Sequence, residues 1–190
     1  MLEKQFDGIR EKCEELFSKK LHDYGATWLL FRDSSLIDQM WIKIKRIRVL
    51  EENGDISLVG ESRTDEFVGI LNYAAIMLML KEFPVDFPNK DDILENTSLL
   101  EKLDFERTIE LFDKIFDNAK QLMIKKNHDY GDAWKSMQIS SITDMIVIKL
   151  SRVKNILKNN GKLLASENIN AQLYDVINYC VFALIKMEYV

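Results

Sequence analysis

The stretch Lys19-Lys20-Leu21-His22-Asp23-Tyr24-Gly25, followed by Trp28, returns as Lys125-Lys126-Asn127-His128-Asp129-Tyr130-Gly131 followed by Trp134, an offset of 106 positions. The same offset runs outward from it. Upstream, Phe6, Ile9, Cys13, Leu16 and Phe17 are answered by Phe112, Ile115, Ala119, Leu122 and Met123, apolar positions at helical spacing in both copies. A single offset kept through successive amphipathic segments marks a tandem duplication, so each copy is one helical unit.

Downstream, a second helix is expected to open at Ser35 and at Ser141, each followed three residues later by an acid, Asp38 or Asp144, as a helix N-terminus prefers. It should run to Leu50 or Leu157 and stop near Asn53-Gly54 or Asn159-Asn160-Gly161. A polar connection with Glu61 or Glu167 leads to a third, strongly apolar helix carrying Asn72-Tyr73 or Asn178-Tyr179. The two prolines, Pro84 and Pro88, sit together and mark a linker over 83–97 between a first repeat, 1–82, and a second, 98–190. Ser98-Leu99-Leu100-Glu101 reads as a capping box opening the second repeat. With so few helix breakers the fold class is all-α, a tandem-duplicated bundle of three helices per half. Three helices alone bury little, so the halves should pack as an intrachain pseudo-dimer with the third helices central.

The chain has 190 residues, 47% of them apolar, enough for a packed core. Its net charge of -5 supplies no basic field for a phosphate backbone, so non-specific nucleic-acid binding is not expected. Cys13 and Cys180 fit neither a disulfide framework nor a CxxC metal site, and His22 and His128, the only histidines, form no zinc motif. No Gly-rich phosphate loop or nucleophile elbow occurs. Met1 to Phe6 lacks the pattern of a signal peptide, and the apolar runs 67–80 and 173–187 fall short of the ~20 residues of a membrane span. A cytoplasmic protein with no membrane role is the expectation, with association into homo-oligomers left open.

The most informative position is the lysine of each second helix. Lys43 falls within the apolar stripe Leu36, Met40, Ile47 and Leu50, and Lys149 within Ile142, Ile146, Val153 and Ile156. A lysine is almost never buried unpaired, so an anion should meet each one. Arg46 and Arg152 follow three residues on, near enough to share its target. That target is either an acid of a neighbouring helix, such as Asp23, Asp129, Asp175, Glu61 or Glu167, or the phosphate of a ligand.

In His-Asp-Tyr-Gly, the cationic residues and the glycine suit a helix C-terminus, but an aspartate there is mildly unfavourable. Asp23 and Asp129 are therefore candidates to orient the lysines. Tyr24, Tyr130, Trp28 and Trp134 are core anchors or stacking surfaces for a base. Asn72 and Asn178 lie in apolar runs where an amide needs partners. The halves differ at one place: Gln172 and Asp175 correspond to Glu66 and Gly69, so the acid moves by one helical turn.

The pattern Lys-Lys-x-His-Asp-Tyr-Gly-x-x-Trp, then Asp-x-x-x-x-Lys-x-x-Arg, then Asn-Tyr in an apolar helix resembles the nucleotide modification associated domain 1 family, formerly a domain of unknown function. The resemblance covers nearly all of both halves. It implies an all-helical protein of pathways that modify nucleotides or DNA bases, without implying a reaction. By resemblance Asp129, Tyr130, Gly131, Trp134, Lys149, Arg152, Asp175 and Asn178 match in the second half. Asp23, Tyr24, Gly25, Trp28, Lys43, Arg46 and Asn72 match in the first, where Gly69 replaces the acid.

A looser similarity is to MazG-type all-α nucleoside triphosphate pyrophosphohydrolases, through Gln172-x-x-Asp175. Those enzymes bind Mg²⁺ with two acidic pairs, and the first pair is missing here. Three readings result. The first is a nucleotide-binding protein, its ligand a nucleotide or similar small anion; the second is a Mg²⁺-dependent pyrophosphohydrolase, the only one to require a metal; the third is a non-catalytic helical interaction module.

Overall fold

The computed structural model describes residues 1–159 and 168–189, and among these the chain is helical with no strand. Helices α1 (Leu2–Tyr24), α2 (Asp33–Glu52) and α3 (Arg63–Glu82) form the first unit. A short α4 (Lys90–Glu95) lies in the connection, and α5 (Phe105–Tyr130), α6 (Ile139–Lys158) and α7 (Ile169–Lys186) form the second unit. Each long helix packs on its own duplicate, α1 on α5, α2 on α6 and α3 on α7. This is the pseudo-dimer expected of the duplication.

The third helices are central because they have almost no polar face to give to water. In α3, Phe67, Ile70, Leu71, Met77 and Leu78 are fully buried, and in α7, Leu173, Val176, Ile177, Val181 and Leu184 are. Each such side chain contributes about 1.5–3 kcal/mol by leaving water. Among the described residues no single helix is long and apolar enough to cross a membrane.

Two ion pairs record the pseudo-symmetry. Lys154 Nζ stands 2.8 Å from Asp38 Oδ1, and Arg48 Nη2 stands 3.6 Å from Asp144 Oδ1. Arg48 and Lys154 are duplicates, as are Asp38 and Asp144, so the contact is reciprocal, as in an isologous dimer.

That pairing corrects the expected starts of the second helices. They begin two residues earlier than Ser35 and Ser141, at Asp33 and Ile139, with Arg32 and Gln138 as extended N-caps that make no side-chain cap bond. The Leu36 amide already donates to the Arg32 carbonyl at 3.1 Å, so Ser35 lies inside the first turn. Asp38 and Asp144 face cations of the other half instead. Ser98 likewise opens no long helix: it sits in a 3-10 turn, Thr97–Lys102, and α5 is capped by Asp104, which accepts from the Arg107 amide at 2.9 Å. A reciprocal capping box does occur at Ser62 and Asp65, opening α3. The expected stops hold, with Asn53 and Asn159 as C-caps. Asn160, Gly161 and Glu167 lie outside the described residues.

Candidate functional site

Both copies of His-Asp-Tyr-Gly end a helix, α1 at Tyr24 and α5 at Tyr130. Gly25 has φ 63 and ψ -167, and Gly131 has φ 60 and ψ -156. This is not the left-handed helical well but an extended region at positive φ that is essentially confined to glycine. It throws the chain back across the end of the helix, and the following 3-10 turn, Thr27–Leu30 or Ala133–Ser136, plants Trp28 or Trp134 against the core.

Behind each tryptophan the structure leaves a cavity. The second-half cavity, of about 440 Å³, is lined by α5 (Lys126, Asn127, Tyr130), the turn (Trp134, Met137), α6 (Lys149) and α7 (Asp175, Asn178, Tyr179, Phe182). Its floor is a shared carboxylate. Lys149 Nζ stands 2.6 Å from Asp175 Oδ2, both side chains nine-tenths buried, and Lys126 from α5 donates to Asp175 Oδ1. Asp175 thereby meets the expectation of an anion for Lys149, and it comes from α7. Among the described lining residues two lysines face one carboxylate, leaving one positive charge in surplus.

The walls are aromatic. Trp134 lies flat on Phe182, ring centroids 4.5 Å apart and planes 7° from parallel. The Trp134 indole Nε1–H donates to Asn127 Oδ1 at 3.2 Å, and Asn127 in turn donates to Asp132 Oδ1 at 3.3 Å, which fixes the turn on the end of α5. Tyr130 stands 76% exposed at the mouth, as its duplicate Tyr24 does at 68%. Asn178 is buried in the lining, and neither its Oδ1 nor its Nδ2 has a partner among the described residues. The Tyr179 hydroxyl is pushed above its ordinary range, first by burial and then by the Asp175 carboxylate.

The first-half cavity, of about 690 Å³, uses the duplicate positions, among them Lys20, Tyr24, Trp28, Lys43, Gly69, Asn72 and Tyr73. Its electrostatics differ. Lys43 Nζ donates to Glu66 Oε2 at 3.2 Å, and Arg46 Nη1 donates to Glu66 Oε1 at 2.7 Å, to Glu61, and through Nη2 to Ser57 Oγ at 3.2 Å. The Arg46 hydrogen bond holds the Glu61 carboxyl below its usual range. Lys43 lies over Gly69, where any Cβ would stand 2.6 Å from its Cε. The space that Asp175 fills in the second half is filled in the first by the lysine itself, and the carboxylate has moved one turn back to Glu66.

Of the sequence candidates, Tyr130, Trp134, Lys149, Asp175 and Asn178 converge on one cavity and Tyr24, Trp28, Lys43 and Asn72 on the other. Arg46 borders the latter through Glu61 and Glu66, while Arg152 is exposed on α6 and near enough to the Tyr179 hydroxyl to bear on its ionisation. Asp23 and Asp129 do not meet the lysines. They are exposed beside His22 and His128, at 3.2 and 3.1 Å, and line neither of these cavities. At about 100° per residue Lys126, Asn127 and Tyr130 share the inward face of α5, and Asp129 stands about 100° off it.

Sequence reasoning assigned Lys126 to the helix dipole and so missed it. Its signal was available: Lys126 and Tyr130 are four apart and both repeat at Lys20 and Tyr24. Among the described residues no group of three or more His, Cys, Asp or Glu side chains is arranged to hold a metal ion.

Fold and site together define a duplicated all-α protein with an aromatic, lysine-bearing cavity in each half. The family model for nucleotide modification associated domain 1 matches residues 20–80 and 126–187, one copy per half, and the chain belongs to this family. No curated protein and no solved structure matches the chain.

Proposed function

We propose that the second half binds a phosphate-bearing nucleotide in the cavity between α5, α6 and α7. The observation that carries this reading is the pair Lys126 and Lys149 on one buried carboxylate: Asp175 neutralises one of them and holds both ammonium groups at the cavity wall, with one charge over. An anion about 4 Å from a surplus cation near a protein surface gains about 4 kcal/mol before the desolvation of both is subtracted. The exposed ring of Tyr130 offers a base a stacking face at the mouth. Membership of a family associated with nucleotide modification agrees with such a ligand.

The pyrophosphohydrolase reading finds less support. Mg²⁺ between protein and phosphate takes several free carboxylate oxygens, and both oxygens of Asp175 are engaged by lysines. These residues do not fit a Mg²⁺ site.

A thermal-shift series with nucleoside mono-, di- and triphosphates tests the proposal, because a ligand at a hundred times its dissociation constant stabilises by about 2.7 kcal/mol. Stabilisation by at least one nucleotide, lost in Lys126→Ala, is expected. No stabilisation by any of them at millimolar concentration contradicts it.

A further inference from the structure

Along α2 the residues Ile42, Lys45, Val49 and Glu52 follow one another at spacings of three and four, so they share one face of the helix. That face is turned to solvent. Ile42 is 60% and Val49 51% exposed, Lys45 and Glu52 are exposed with them, and Ile56, 71% exposed, follows in the loop after the helix. None of these side chains serves the core, which α2 supplies with Leu36, Met40, Ile44 and Ile47, all fully buried. A single apolar side chain at a surface needs no explanation, but a row of them at helical spacing does.

The row is not a remnant of the duplication. Its counterparts on α6 are Ile148, Ser151, Asn155 and Lys158, of which only the first keeps its character. Ile148 is itself 42% exposed. The helices run antiparallel, since Asp38 meets Lys154 and Arg48 meets Asp144. That register sets Ile148 level with Ile44, about 3 Å along the axis from Ile42. The two exposed isoleucines thus stand close together on neighbouring helices and enlarge the apolar patch. Trp41 borders it, its ring held by the Lys154 ammonium 4.7 Å from the centroid.

The charges on the row decide what can cover it. Lys45 and Glu52 flank Val49, carry opposite signs, and have no ion-pair partner among the described residues. Taken in reverse, Ile-Lys-Val-Glu-Ile becomes Ile-Glu-Val-Lys-Ile, so apolar positions fall on apolar ones and each charge falls on its opposite. A two-fold axis demands this pattern, because in an isologous contact residue i meets j and j meets i. We propose that this face of α2 docks antiparallel on α2 of a second copy of the chain, with Val49 against Val49 at the axis, Lys45 of each copy against Glu52 of the other, and Ile42 toward Ile56. Each chain carries a net charge of -5, and a row whose own charges cancel is where two such chains can approach closely. The contact does not depend on the nucleotide site, so either can fail alone.

Sedimentation velocity of the full chain from about 1 µM to about 1 mM tests this. The parent should pass from monomer to dimer within that range. Val49→Glu puts two carboxylates together at the axis and should leave a monomer throughout, with the helical circular dichroism spectrum unchanged because the position faces solvent. Lys45→Glu and Glu52→Lys each set like charges against one another twice, and each should weaken the dimer about tenfold. Mixed in equal amounts, or combined in one chain, these two changes should restore it. A parent that stays monomeric across the range overturns the proposal. So does a dimer that survives in Val49→Glu, or a mixture of the two charge variants that associates no better than either alone.

Discussion

Lys43 occupies the space in which Gly69 would carry a side chain, its Cε 2.6 Å from the position of a Cβ there. In the second half that same position is Asp175, and its lysine partner Lys149 stands back at 2.6 Å as an ion pair. Two exchanges, Gly69 against Asp175 and Glu66 against Gln172, therefore separate a lysine paired with the carboxylate opposite it from one laid over a glycine, with Glu66 as its counter-ion.

The exchange should be reversible. Glu66→Gln with Gly69→Asp rebuilds the second-half arrangement in the first, and the variant should fold with stability within about 1 kcal/mol of the parent, since a helical glycine is replaced and a buried carboxylate is moved rather than added. Nucleotide stoichiometry by calorimetry should rise from one to two per chain. A value still at one in the folded variant shows that the carboxylate position does not control the site.

Removing Lys149 alone leaves a buried carboxylate held by a half-exposed lysine. Lys149→Met should cost about 2–3 kcal/mol in urea denaturation, toward the low end for a broken buried pair because Lys126 remains. Adding Asp175→Asn should return most of that loss. A double variant as unstable as the single one shows that the pair is not coupled.

Asp113, on α5 facing α1, has its carboxyl pushed up to about 6, by burial first and then by Glu14, against a lowering by Arg10. Because the folded state holds this proton more tightly than the unfolded chain, the contribution is complete below about pH 4 and is lost as pH rises through 6. Asp113→Asn should flatten stability between pH 4 and 6 and add about 1 kcal/mol at pH 7, after discounting for partial exposure. Parallel pH profiles for parent and variant contradict this.

The reciprocal pairs Asp38 with Lys154 and Asp144 with Arg48 lie at the surface, so Asp38→Ala or Asp144→Ala should each cost under about 1 kcal/mol. Chemical denaturation measures it. A loss above about 2 kcal/mol points to a role beyond pairing across the halves.

The duplication, the all-α class and the central third helices were legible in the sequence because each is written as periodicity, in Phe6 to Phe17 against Phe112 to Met123 and in the apolar runs around Asn72 and Asn178. Lys149 was legible as a cation on an apolar stripe, and it is buried; Lys43 obeys the same pattern but remains partly exposed. Which acid meets the lysine was not legible. Asp129 and Asp175 are both plausible by type, and the choice depends on the turn of α5 relative to α6, a tertiary fact.

The most direct measurement of the central claim is a calorimetric titration of the full chain with a nucleotide that stabilises it, repeated on Lys126→Ala. Lys126 is half-exposed and its loss leaves the core intact. One site per chain is expected in the parent, with affinity falling at least tenfold in the variant. Equal affinity in both chains would contradict a phosphate held by Lys126 and Lys149 over Asp175.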